Sequence, residues 1–420
     1  MASIGVRGLR PLRGEVHIPG AKNSVLPIMA ASLLCDGPVT LTGVPRLSDV
    51  QAGERILQYL GAQTHGEEDR LEILPAKEPG SGISKDLMRT MRSSLFYLAP
   101  LLVRTGKAQI FEPGGCNLGP RPIDMHLDGL QRMGAECTYE DGCYTLRAPQ
   151  GLQGADIVLR LPSVGATETM VMAAVLAQGE SVITGAACEP EVADLARFLN
   201  RCGAHIEGAG SHVIRVRPTA RLGGCTHRLV GDRILASTVA CAVAAAGGEV
   251  TLRDACYAHY SALCGALAKI GVRFAVHSED CVTVSAPHPG SAAGSFSVET
   301  GPYPNFATDA GPLLAAAFLK GRARLRLQET IFENRFACTK EFQKLGARAN
   351  VMERALTITG QPSLHGAQVE AKDLRGGAAL IIAALAAQGE TIIANRDFID
   401  RGYEDIVGLF YSLGADIWEV

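Results

Sequence analysis

Apolar and polar positions alternate along this chain with two periods, one typical of helices and one typical of strands, and the alternation repeats six times. Each repeat ends in a helix with one apolar side, which stops at a glycine and is followed by a strand. Glycine is a common helix stop. The signal recurs about every 70 residues, a longer period than that of ordinary solenoid repeats. It occurs at Leu60-Gly61-Ala62, Met133-Gly134-Ala135, Cys202-Gly203-Ala204, Ile270-Gly271-Val272, Leu345-Gly346-Ala347 and Leu413-Gly414-Ala415.

Each repeat also contains an alanine-rich helix that is apolar nearly all round, which is typical of a helix buried on every side. Short β-branched segments such as 39–41 and 390–393 follow these helices. The pattern predicts an α/β fold with six helices inside and strands around them, in two domains of three repeats with a boundary near Gly231. The predicted buried helices are 23–34, 93–103, 167–177, 234–246, 310–319 and 376–387.

Polar residues recur at the starts of these buried helices, and more of them stand near Arg121, Glu189, Arg335 and Arg401, where the second helices are expected to begin. If the helices of a domain run parallel, these ends converge. Helix N-termini carry unpaired N–H groups that suit anions, and arginine forks match carboxylate and phosphate oxygens. The pattern indicates a pocket for a substrate with both groups. Its cationic candidates are Lys22, Arg92, Arg121, Arg335, Arg375 and Arg401.

One cysteine lies in a loop too rich in glycine to pack into a core, Pro113-Gly114-Gly115-Cys116. Arg92 and Arg121 stand on either side of it in the sequence. Cationic neighbours favour the thiolate form of a cysteine. Cys116 is therefore a candidate catalytic residue beside an anion site.

Structural alternatives exist for these residues. Lys22 is also compatible with a solvated turn, and Arg92 with a residue that satisfies backbone carbonyls. Arg335 and Arg401 are also compatible with surface ion pairs to their neighbours Glu333 and Asp400. Asp309, like Asp232 and Asp373, is also compatible with an N-cap, and the segment 165–168 with a turn and a cap.

Composition excludes several function classes. The net charge is −3 and aromatic residues are 5% of the chain, which argues against a nucleic-acid or anionic-membrane surface. Neither a signal peptide nor a bilayer-spanning segment is evident. Twelve cysteines form no Cys-x-x-Cys pair, and no histidine, glycine or lysine motif indicates a metal or a nucleotide cofactor. We expect a cytoplasmic protein with reduced cysteines, no cofactor, no membrane insertion and no particular oligomeric state.

Taken together, several motifs resemble the enolpyruvyl transferase family, and within it the UDP-N-acetylglucosamine 1-carboxyvinyltransferases. The similarity runs from about Arg10 to the C-terminus. It rests on residues 19–27, 91–94, 113–116, 121–124, 163–167, 308–309, 332–336, 373–375 and 399–404.

The resemblance implies an inside-out α/β barrel, or α/β prism, of six βαβαββ repeats. The first domain is expected to cover 22–231 and the second to combine 1–21 with 232–420, with the active site in the cleft between them. The implied reaction transfers the enolpyruvyl group of phosphoenolpyruvate to the 3-hydroxyl of UDP-N-acetylglucosamine by addition and elimination. It is the first committed step of peptidoglycan precursor synthesis.

The resemblance also implies roles for individual residues. Cys116 is expected to be the general acid on a closing lid and Asp309 the base, while Lys22 and Arg401 are catalytic and hold the phosphate with Arg121. Arg335 and Arg375 hold the carboxylate. The sugar nucleotide is expected to contact Asn23, Arg92, Pro122, Ile123, Asp124, Met125, Ser163, Val164, Gly165 and Ile331.

The chain departs from the family pattern at Leu161, Leu235 and Gly311-Pro312, in regions expected to affect substrate affinity. Two alternatives therefore remain open. One is a shikimate 3-phosphate enolpyruvyl transferase, against which the Lys22-Asn23 and Gly115-Cys116 pairs argue. The other is a divergent, non-catalytic paralogue that binds a sugar nucleotide.

Overall fold

Helices and strands alternate along the chain in the computed structural model, which describes residues 2–114, 119 and 122–420. The predicted α/β class is confirmed. All six predicted buried helices are present, and three of them begin or end in a 3-10 turn. The helices are α1 (Lys22–Ala31), α2 (Ser48–Tyr59), α3 (Lys85–Thr90), α4 (Leu98–Thr105), α5 (Asp124–Arg132), α6 (Val164–Ala174), α7 (Pro190–Arg201), α8 (Arg233–Ala246), α9 (Ser261–Ala268), α10 (Gly311–Ala317), α11 (Thr339–Lys344), α12 (Leu374–Leu385), α13 (Asp397–Asp400) and α14 (Ile406–Ser412).

The strands are short, and most of them alternate buried and exposed residues. They are β1 (Ile4–Arg7), β2 (Leu12–His17), β3 (Val39–Thr42), β4 (Gln63–Glu67), β5 (Arg70–Leu74), β6 (Lys107–Phe111), β7 (Glu136–Glu140), β8 (Cys143–Arg147), β9 (Asp156–Val158), β10 (Ser181–Thr184), β11 (His205–Glu207), β12 (Val213–Arg217), β13 (Thr226–Arg228), β14 (Gly248–Arg253), β15 (Arg273–Ser278), β16 (Cys281–Ala286), β17 (Ala293–Glu299), β18 (Arg322–Gln328), β19 (Arg348–Met352), β20 (Ala355–Thr359), β21 (Gln368–Glu370), β22 (Glu390–Ala394) and β23 (Asp416–Glu419).

The six glycine signals all stop helices in the same way. Each of these glycines has a positive φ, between 86° and 106°, a conformation that costs glycine little. In each repeat the N–H of the residue after the glycine donates to the carbonyl five residues earlier, at 3.0–3.3 Å. This is the hydrogen bond of the Schellman motif, which satisfies a carbonyl left open at a helix end. The repeat predicted from sequence is therefore also a repeat of backbone conformation.

Contacts divide the described residues into two units. The first unit comprises 20–114 and 122–230, and the second comprises 2–19, 119 and 231–420. The units meet in the sequence after Pro19 and after Val230, whereas the resemblance places the domain boundaries after residues 21 and 231.

The second unit has three buried helices that pack on one another, α8, α10 and α12. Three four-stranded sheets belong to it, in the orders β21-β22-β1-β23, β15-β16-β14-β2 and β17-β18-β20-β19. The strand β1 lies between β22 and β23 and is antiparallel to both. The indole of Trp418 lies against Gly5, where an added Cβ would approach it to 2.3 Å, and Arg7 stacks on the same ring.

The first unit repeats this arrangement around the helices α1, α4 and α6, which lie in one hydrophobic cluster. Its sheets have the orders β13-β3-β5-β4 and β11-β12-β10-β9, and a three-stranded sheet β6-β8-β7 among the described residues. In both units the helices are therefore buried and the strands lie outside them, as predicted.

The predicted starts of the second helices are wrong by a few residues in three repeats. The helix α5 begins at Asp124 rather than near Arg121, α11 at Thr339 rather than near Arg335, and α14 at Ile406 rather than near Arg401. Asp405 caps α14, because its side chain accepts a hydrogen bond from the N–H of Gly408 at 2.7 Å. Among the described residues, none of the helices is both long and apolar enough to cross a membrane.

Candidate functional site

In the second unit, one carboxylate is shared by two buried arginines. An Nη of Arg335 donates to Asp309, and its Nε donates to the carbonyl of Thr308 at 3.0 Å. An Nη of Arg375 lies 3.6 Å from the other oxygen of Asp309. The arginine side chains are 2% and 5% exposed, whereas that of Asp309 is 27% exposed. The carboxylate is thus accessible to a ligand, whereas the two guanidinium groups that hold it are buried.

These three residues come from two consecutive repeats, Asp309 and Arg335 from the fifth and Arg375 from the sixth. Asp309 lies in a 3-10 turn that leads into α10, Arg375 is in the first turn of α12, and Arg335 precedes α11. Asp373 caps α12 through hydrogen bonds from the N–H groups of Arg375 and Gly376. The starts of two buried helices therefore converge in this unit, as the sequence predicts for parallel helices.

A buried tyrosine fixes Arg375 from behind. The hydroxyl of Tyr403 is 3.4 Å from an Nη of Arg375 and 2.8 Å from the hydroxyl of Thr238 on α8. The guanidinium also lies 5.7 Å from the centre of the Tyr403 ring. This contact chain links α8, α12 and Asp309, so the arginine has little freedom to turn away.

A buried glutamate braces the other side of the group. One oxygen of Glu329 accepts a hydrogen bond from the hydroxyl of Thr308 at 2.8 Å, next to Asp309. Its other oxygen accepts from the N–H groups of Ile331 at 2.7 Å and Phe332 at 3.0 Å. Glu329 therefore positions the turn of Asp309 and the loop of the half-exposed Ile331 together.

The charges around Asp309 set its ionisation. Burial on its own raises the pKa of this carboxyl, but Arg335, Arg375 and Arg233 outweigh that effect and hold the pKa well below its usual range. Burial likewise works to lower the pKa of Arg375, and Tyr403, Asp309 and Asp232 outweigh it, so that pKa is raised. Asp309 and Arg375 are therefore both charged at neutral pH.

The structural alternatives for two of these residues are wrong. Asp309 lies inside the 3-10 turn, whose N-cap is Ala307, and is not itself a cap. Arg335 is buried, and the neighbouring Glu333 pairs with Arg354 at 2.9 Å. By contrast, Asp232 and Asp373 are N-caps, of α8 and α12.

Arg401 follows the short helix α13 and is half-buried. Its neighbour Asp400 forms an ion pair with Arg396 at 3.1 Å.

In the first unit, Lys22 opens α1 and is buried, so the solvated-turn alternative is wrong. Its Nζ lies 2.6 Å from an oxygen of Asp49, and the two side chains are 11% and 6% exposed. The neighbouring Asn23 is half-buried. An ion pair with so little exposure to solvent holds the ammonium in one place.

A second buried carboxylate fixes the start of α1. Asp194 accepts hydrogen bonds from the hydroxyl of Ser24 at 2.5 Å and from the N–H of Val230 at 3.1 Å. Its other oxygen is 3.1 Å from Nε2 of His227 and 2.9 Å from an Nη of Arg197. Asp194 therefore joins α1, α7 and the segment after β13.

Asp194→Asn is expected to destabilise the protein by roughly 2–4 kcal/mol, because a buried charge is removed from partners that cannot reach water. The matched control is Arg197→Ala, whose side chain is 53% exposed and whose loss is expected to change the free energy of unfolding by less than about 0.5 kcal/mol. Urea unfolding of both variants measures the difference. A loss of less than about 0.5 kcal/mol for Asp194→Asn would show that the Asp194 network contributes nothing measurable to stability.

The same carboxylate predicts a pH dependence. Burial works to raise the pKa of Asp194, but hydrogen bonds and charge from His227, with those from Ser24 and Val230, lower it below its usual value. A lowered pKa in the folded state stabilises the fold above the unfolded pKa of about 3.9 and loses that effect as the pH falls. The difference in the free energy of unfolding between the parent and Asp194→Asn is therefore expected to decrease in acid.

The start of α6 presents free backbone donors. Ser163 caps the helix by accepting from the N–H of Ala166 at 3.3 Å, and Ser163, Val164 and Gly165 are half-buried. His126 lies beside Gly165 and is bonded to Thr169 through Nδ1 at 2.9 Å. Burial, with the positive charge of Arg92, lowers the pKa of His126 to about 4. The imidazole is thus neutral at neutral pH. It lies next to a helix N-terminus, and helix N-termini favour anions.

Residues predicted to meet the uracil lie at the start of α5. Pro122 is exposed, Ile123 is buried, and Asp124 forms an ion pair with Arg160. Met125 lines a cavity of about 230 Å³ that also includes Gly129, Arg132, Ile157 and Val158. This space lies between α5 and β9.

Two predicted site residues, Cys116 and Arg121, lie outside the described residues. The other predicted site residues are described, and they form one group in each unit. In the second unit, Asp309, Arg335 and Arg375 are in direct contact. Within the described parts of the chain, no three His, Cys, Asp or Glu side chains are placed to hold a metal ion.

The departures from the family pattern fit the fold. Leu235 is in the first turn of α8, where its N–H donates to Asp232 at 3.1 Å. Gly311 and Pro312 open α10, and a proline is well suited to a first helical turn. Leu161 is 59% exposed and carries no packing role.

Sequence reasoning missed the supporting residues Asp49, Thr238, Glu329 and Tyr403. Each has an ordinary sequence context, and only the fold brings it to its partner. Tyr403 and Glu329 carry buried polar groups, but burial is not visible from the sequence.

A family model described as EPSP synthase (3-phosphoshikimate 1-carboxyvinyltransferase) matches residues 6–409. Among curated proteins, the UDP-N-acetylglucosamine 1-carboxyvinyltransferase of Finegoldia magna is 41% identical over 99% of this chain and 98% of its own length. The protein of the same name from Maricaulis maris is 42% identical, also over 99% of this chain and 98% of its own length.

Solved structures show the same fold. The enolpyruvyl transferase NikO from Streptomyces tendae superposes with a TM-score of 0.89 at 24% identity, covering 100% of this chain and 99% of that one. EPSP synthase from Acinetobacter baumannii gives a TM-score of 0.75 at 17% identity, with 100% of both chains covered. On the strength of the sequence matches, the chain belongs to the EPSP synthase (3-phosphoshikimate 1-carboxyvinyltransferase) family of enolpyruvyl transferases.

Proposed function

We propose that this protein transfers the enolpyruvyl group of phosphoenolpyruvate to the 3-hydroxyl of UDP-N-acetylglucosamine and releases phosphate. The relatives of that name align over almost the entire chain. The observation that carries the proposal furthest is the carboxylate of Asp309, partly exposed and gripped by two buried guanidinium groups. It supplies both a base and a carboxylate-binding fork in one place.

The fork explains how the base becomes active. The free protein holds Asp309 ionised but weakly basic, since Arg335 and Arg375 share its charge. A substrate carboxylate that binds the same two guanidinium groups withdraws part of that charge from Asp309. The pKa of Asp309 then rises, and the carboxylate becomes a better acceptor for the proton of the sugar hydroxyl. Phosphoenolpyruvate thus activates the base that its own addition requires.

The chemistry balances with two acid-base groups. The sugar oxygen bonds to the central carbon of phosphoenolpyruvate as Asp309 takes its proton, and Cys116 donates a proton to the methylene carbon. The resulting tetrahedral adduct loses one of the methyl protons and expels phosphate, which restores the double bond. Lys22, Arg121 and Arg401 are proposed to hold the phosphate, and Lys22 and Arg401 to aid catalysis. A lid carrying Cys116 is proposed to exclude water.

The sugar nucleotide is proposed to bind the first unit. Its phosphates meet the start of α6 at Ser163, Val164 and Gly165, where backbone N–H groups and the helix dipole favour anions. Asn23, Arg92 and Pro122 are proposed to contact the sugar nucleotide, and its uracil is proposed to meet Ile123, Asp124 and Met125. Ile331 of the second unit contacts the sugar.

We further propose that the units are the two enolpyruvyl transferase domains, 22–231 and 1–21 with 232–420. In the cell the product is proposed to enter peptidoglycan precursor synthesis in the cytoplasm, which connects the enzyme to cell-wall biogenesis, cell shape, cell cycle and cell division. We also propose that the protein is a target of fosfomycin, which is expected to react with Cys116.

Phosphate release with each acceptor tests the function. The purified protein is incubated with phosphoenolpyruvate and either UDP-N-acetylglucosamine or shikimate 3-phosphate, and the product is identified by mass. Turnover with the sugar nucleotide alone is expected. Turnover only with shikimate 3-phosphate, the substrate named in the family description, would move the chain to the sister activity. Binding of UDP-N-acetylglucosamine without any phosphate release would identify a non-catalytic paralogue.

A further inference from the structure

Three cysteines meet at one end of the first unit, away from the residues assigned to substrates. The Sγ atoms of Cys202 and Cys225 are 3.2 Å apart. The thiol of Cys35 lies within hydrogen-bonding reach of Cys202. All three are reduced in this structure. The separation of the first two sulfurs is shorter than an ordinary contact between non-bonded thiols.

The backbone fixes the pair. The carbonyl of Cys202, at the end of α7, accepts a hydrogen bond from the N–H of Gly223 at 2.7 Å. The carbonyl of Cys225 accepts from the N–H of Thr40 at 2.9 Å. Between them, Gly224 is packed so closely that a Cβ would lie 2.0 Å from the carbonyl of Pro38. The sulfurs are therefore held together by the main chain and not only by a choice of side-chain rotamer.

We propose that Cys202 and Cys225 are a modification site, which a hydroperoxide converts into an intramolecular disulfide. A disulfide has an S–S length of about 2.05 Å, so the sulfurs need to approach by only about 1.2 Å. Cys225 is half-buried and is the member that an oxidant can reach, whereas Cys202 is 4% exposed and Cys35 is fully buried.

The oxidation proceeds in two balanced steps. The sulfur of Cys225 takes one oxygen from the hydroperoxide and becomes a sulfenic acid, and hydrogen peroxide leaves as water. The sulfur of Cys202 then displaces the hydroxide, which takes up the proton of Cys202 and leaves as a second water. The two sulfurs together lose two electrons, and the peroxide gains them.

Both thiols are expected to react slowly at neutral pH, because their pKa values are raised. The hydrogen bond with Cys225 works to lower the pKa of Cys202, but the neighbouring Cys35 and burial outweigh it and raise the pKa to about 12. The hydrogen bond with Cys202 and burial also raise the pKa of Cys225. Because the thiolate is the nucleophile, the rate of disulfide formation is expected to increase with pH across the alkaline range.

The disulfide would join two elements that already share a tie. Cys202 ends α7 and Cys225 precedes β13, and Asp194 of α7 binds His227 of β13. A covalent link at this second point restricts the unfolded chain between residues 202 and 225. It is expected to raise the melting temperature of the protein by roughly 5 °C.

The test uses the full-length protein carrying Cys116→Ser, so that the proposed catalytic thiol does not consume oxidant. After treatment with hydrogen peroxide, peptide mapping without reduction is expected to recover one cross-linked peptide pair, containing Cys202 and Cys225, with the loss of two hydrogens. The link and the rise in melting temperature are expected to disappear on reduction. Cys202→Ser and Cys225→Ser are each expected to abolish both, whereas Cys35→Ser and Cys241→Ser are expected to retain both.

A link between Cys202 and Cys35 would overturn the proposal, as would Cys225 recovered only as a free or over-oxidised thiol. So would a mapped Cys202–Cys225 link with no change in melting temperature, because the cross-link would then restrain nothing. None of these results depends on enolpyruvyl transfer, so the proposed function and this site stand or fall separately.

Discussion

Asp309→Asn is expected to lower kcat by about 10² to 10⁴-fold while leaving the binding of phosphoenolpyruvate intact or tighter. The amide keeps the shape of the side chain but cannot take a proton from the sugar hydroxyl. At the same time, Arg335 and Arg375 lose the anion that occupies them in the free protein, so their charges become fully available to a substrate carboxylate. Steady-state kinetics and direct titration with phosphoenolpyruvate separate the two effects.

A closely matched control exists in the same unit. Asp416 is also shared by two arginines, Arg7 at 3.4 Å and Arg10 at 3.2 Å, and its side chain is 23% exposed. It lies on β23, and we assign it no part in substrate binding. Asp416→Asn is expected to retain parental kcat. If Asp309→Asn also stays within about threefold of the parent, Asp309 is not the base.

The two variants are expected to differ in stability as well. Asp309→Asn removes the carboxylate that pairs with two buried guanidinium groups, which costs about 3 kcal/mol. Kinetics are therefore measured at a temperature where unfolding curves show each variant to be folded. A loss of kcat that persists in fully folded protein belongs to the chemistry.

Cys116→Ser is expected to reduce turnover nearly to background and to make the protein resistant to fosfomycin. A serine hydroxyl is far less acidic than a thiol, so it is a poor donor to the methylene carbon. The parent protein is expected to lose activity as one equivalent of fosfomycin becomes attached. Intact mass and peptide mapping give the number of adducts and the residue that carries them.

The other cysteines offer little competition for such a reagent. Burial or neighbouring groups raise the pKa of eight of the eleven described cysteines, so these remain in the unreactive thiol form at neutral pH. Cys137→Ser is the control, since Cys137 is partly exposed yet has a raised pKa, and this variant is expected to be inactivated like the parent. An adduct on Cys137, or full activity of Cys116→Ser, would remove Cys116 from the mechanism.

The repeat was predictable because it is written in local signals. A glycine that must adopt a positive φ, and an alanine-rich segment with no polar face, are visible at every recurrence. The starts of the second helices have no such local signal, and their predicted positions are wrong by a few residues in three repeats. The sequence predicts that Arg335 and Arg401 stand at helix starts. The helices instead begin at Thr339 and Ile406, and Asp405 caps the second of them.

The charged site residues were recognisable by type and by resemblance, whereas their partners were not. Nothing local distinguishes Glu329 or Asp49 from surface acids, and each acquires its role through a contact made elsewhere in the fold. The Cys202–Cys225 pair is a further example. Its members are 23 residues apart in the sequence, and the sequence predicts only that the cysteines are reduced.

The position of β1 has a consequence for synthesis on the ribosome. This strand, Ile4–Arg7, is synthesised before both of its neighbours, β22 and β23, which begin at Glu390 and Asp416. At about 5–20 residues per second, β1 waits at least roughly 20 s for a partner. During that time Ile4 and Val6, which are fully buried in the folded protein, have no sheet to join. A nascent-chain chaperone that shields short apolar strands would therefore act on β1 rather than on β22 or β23.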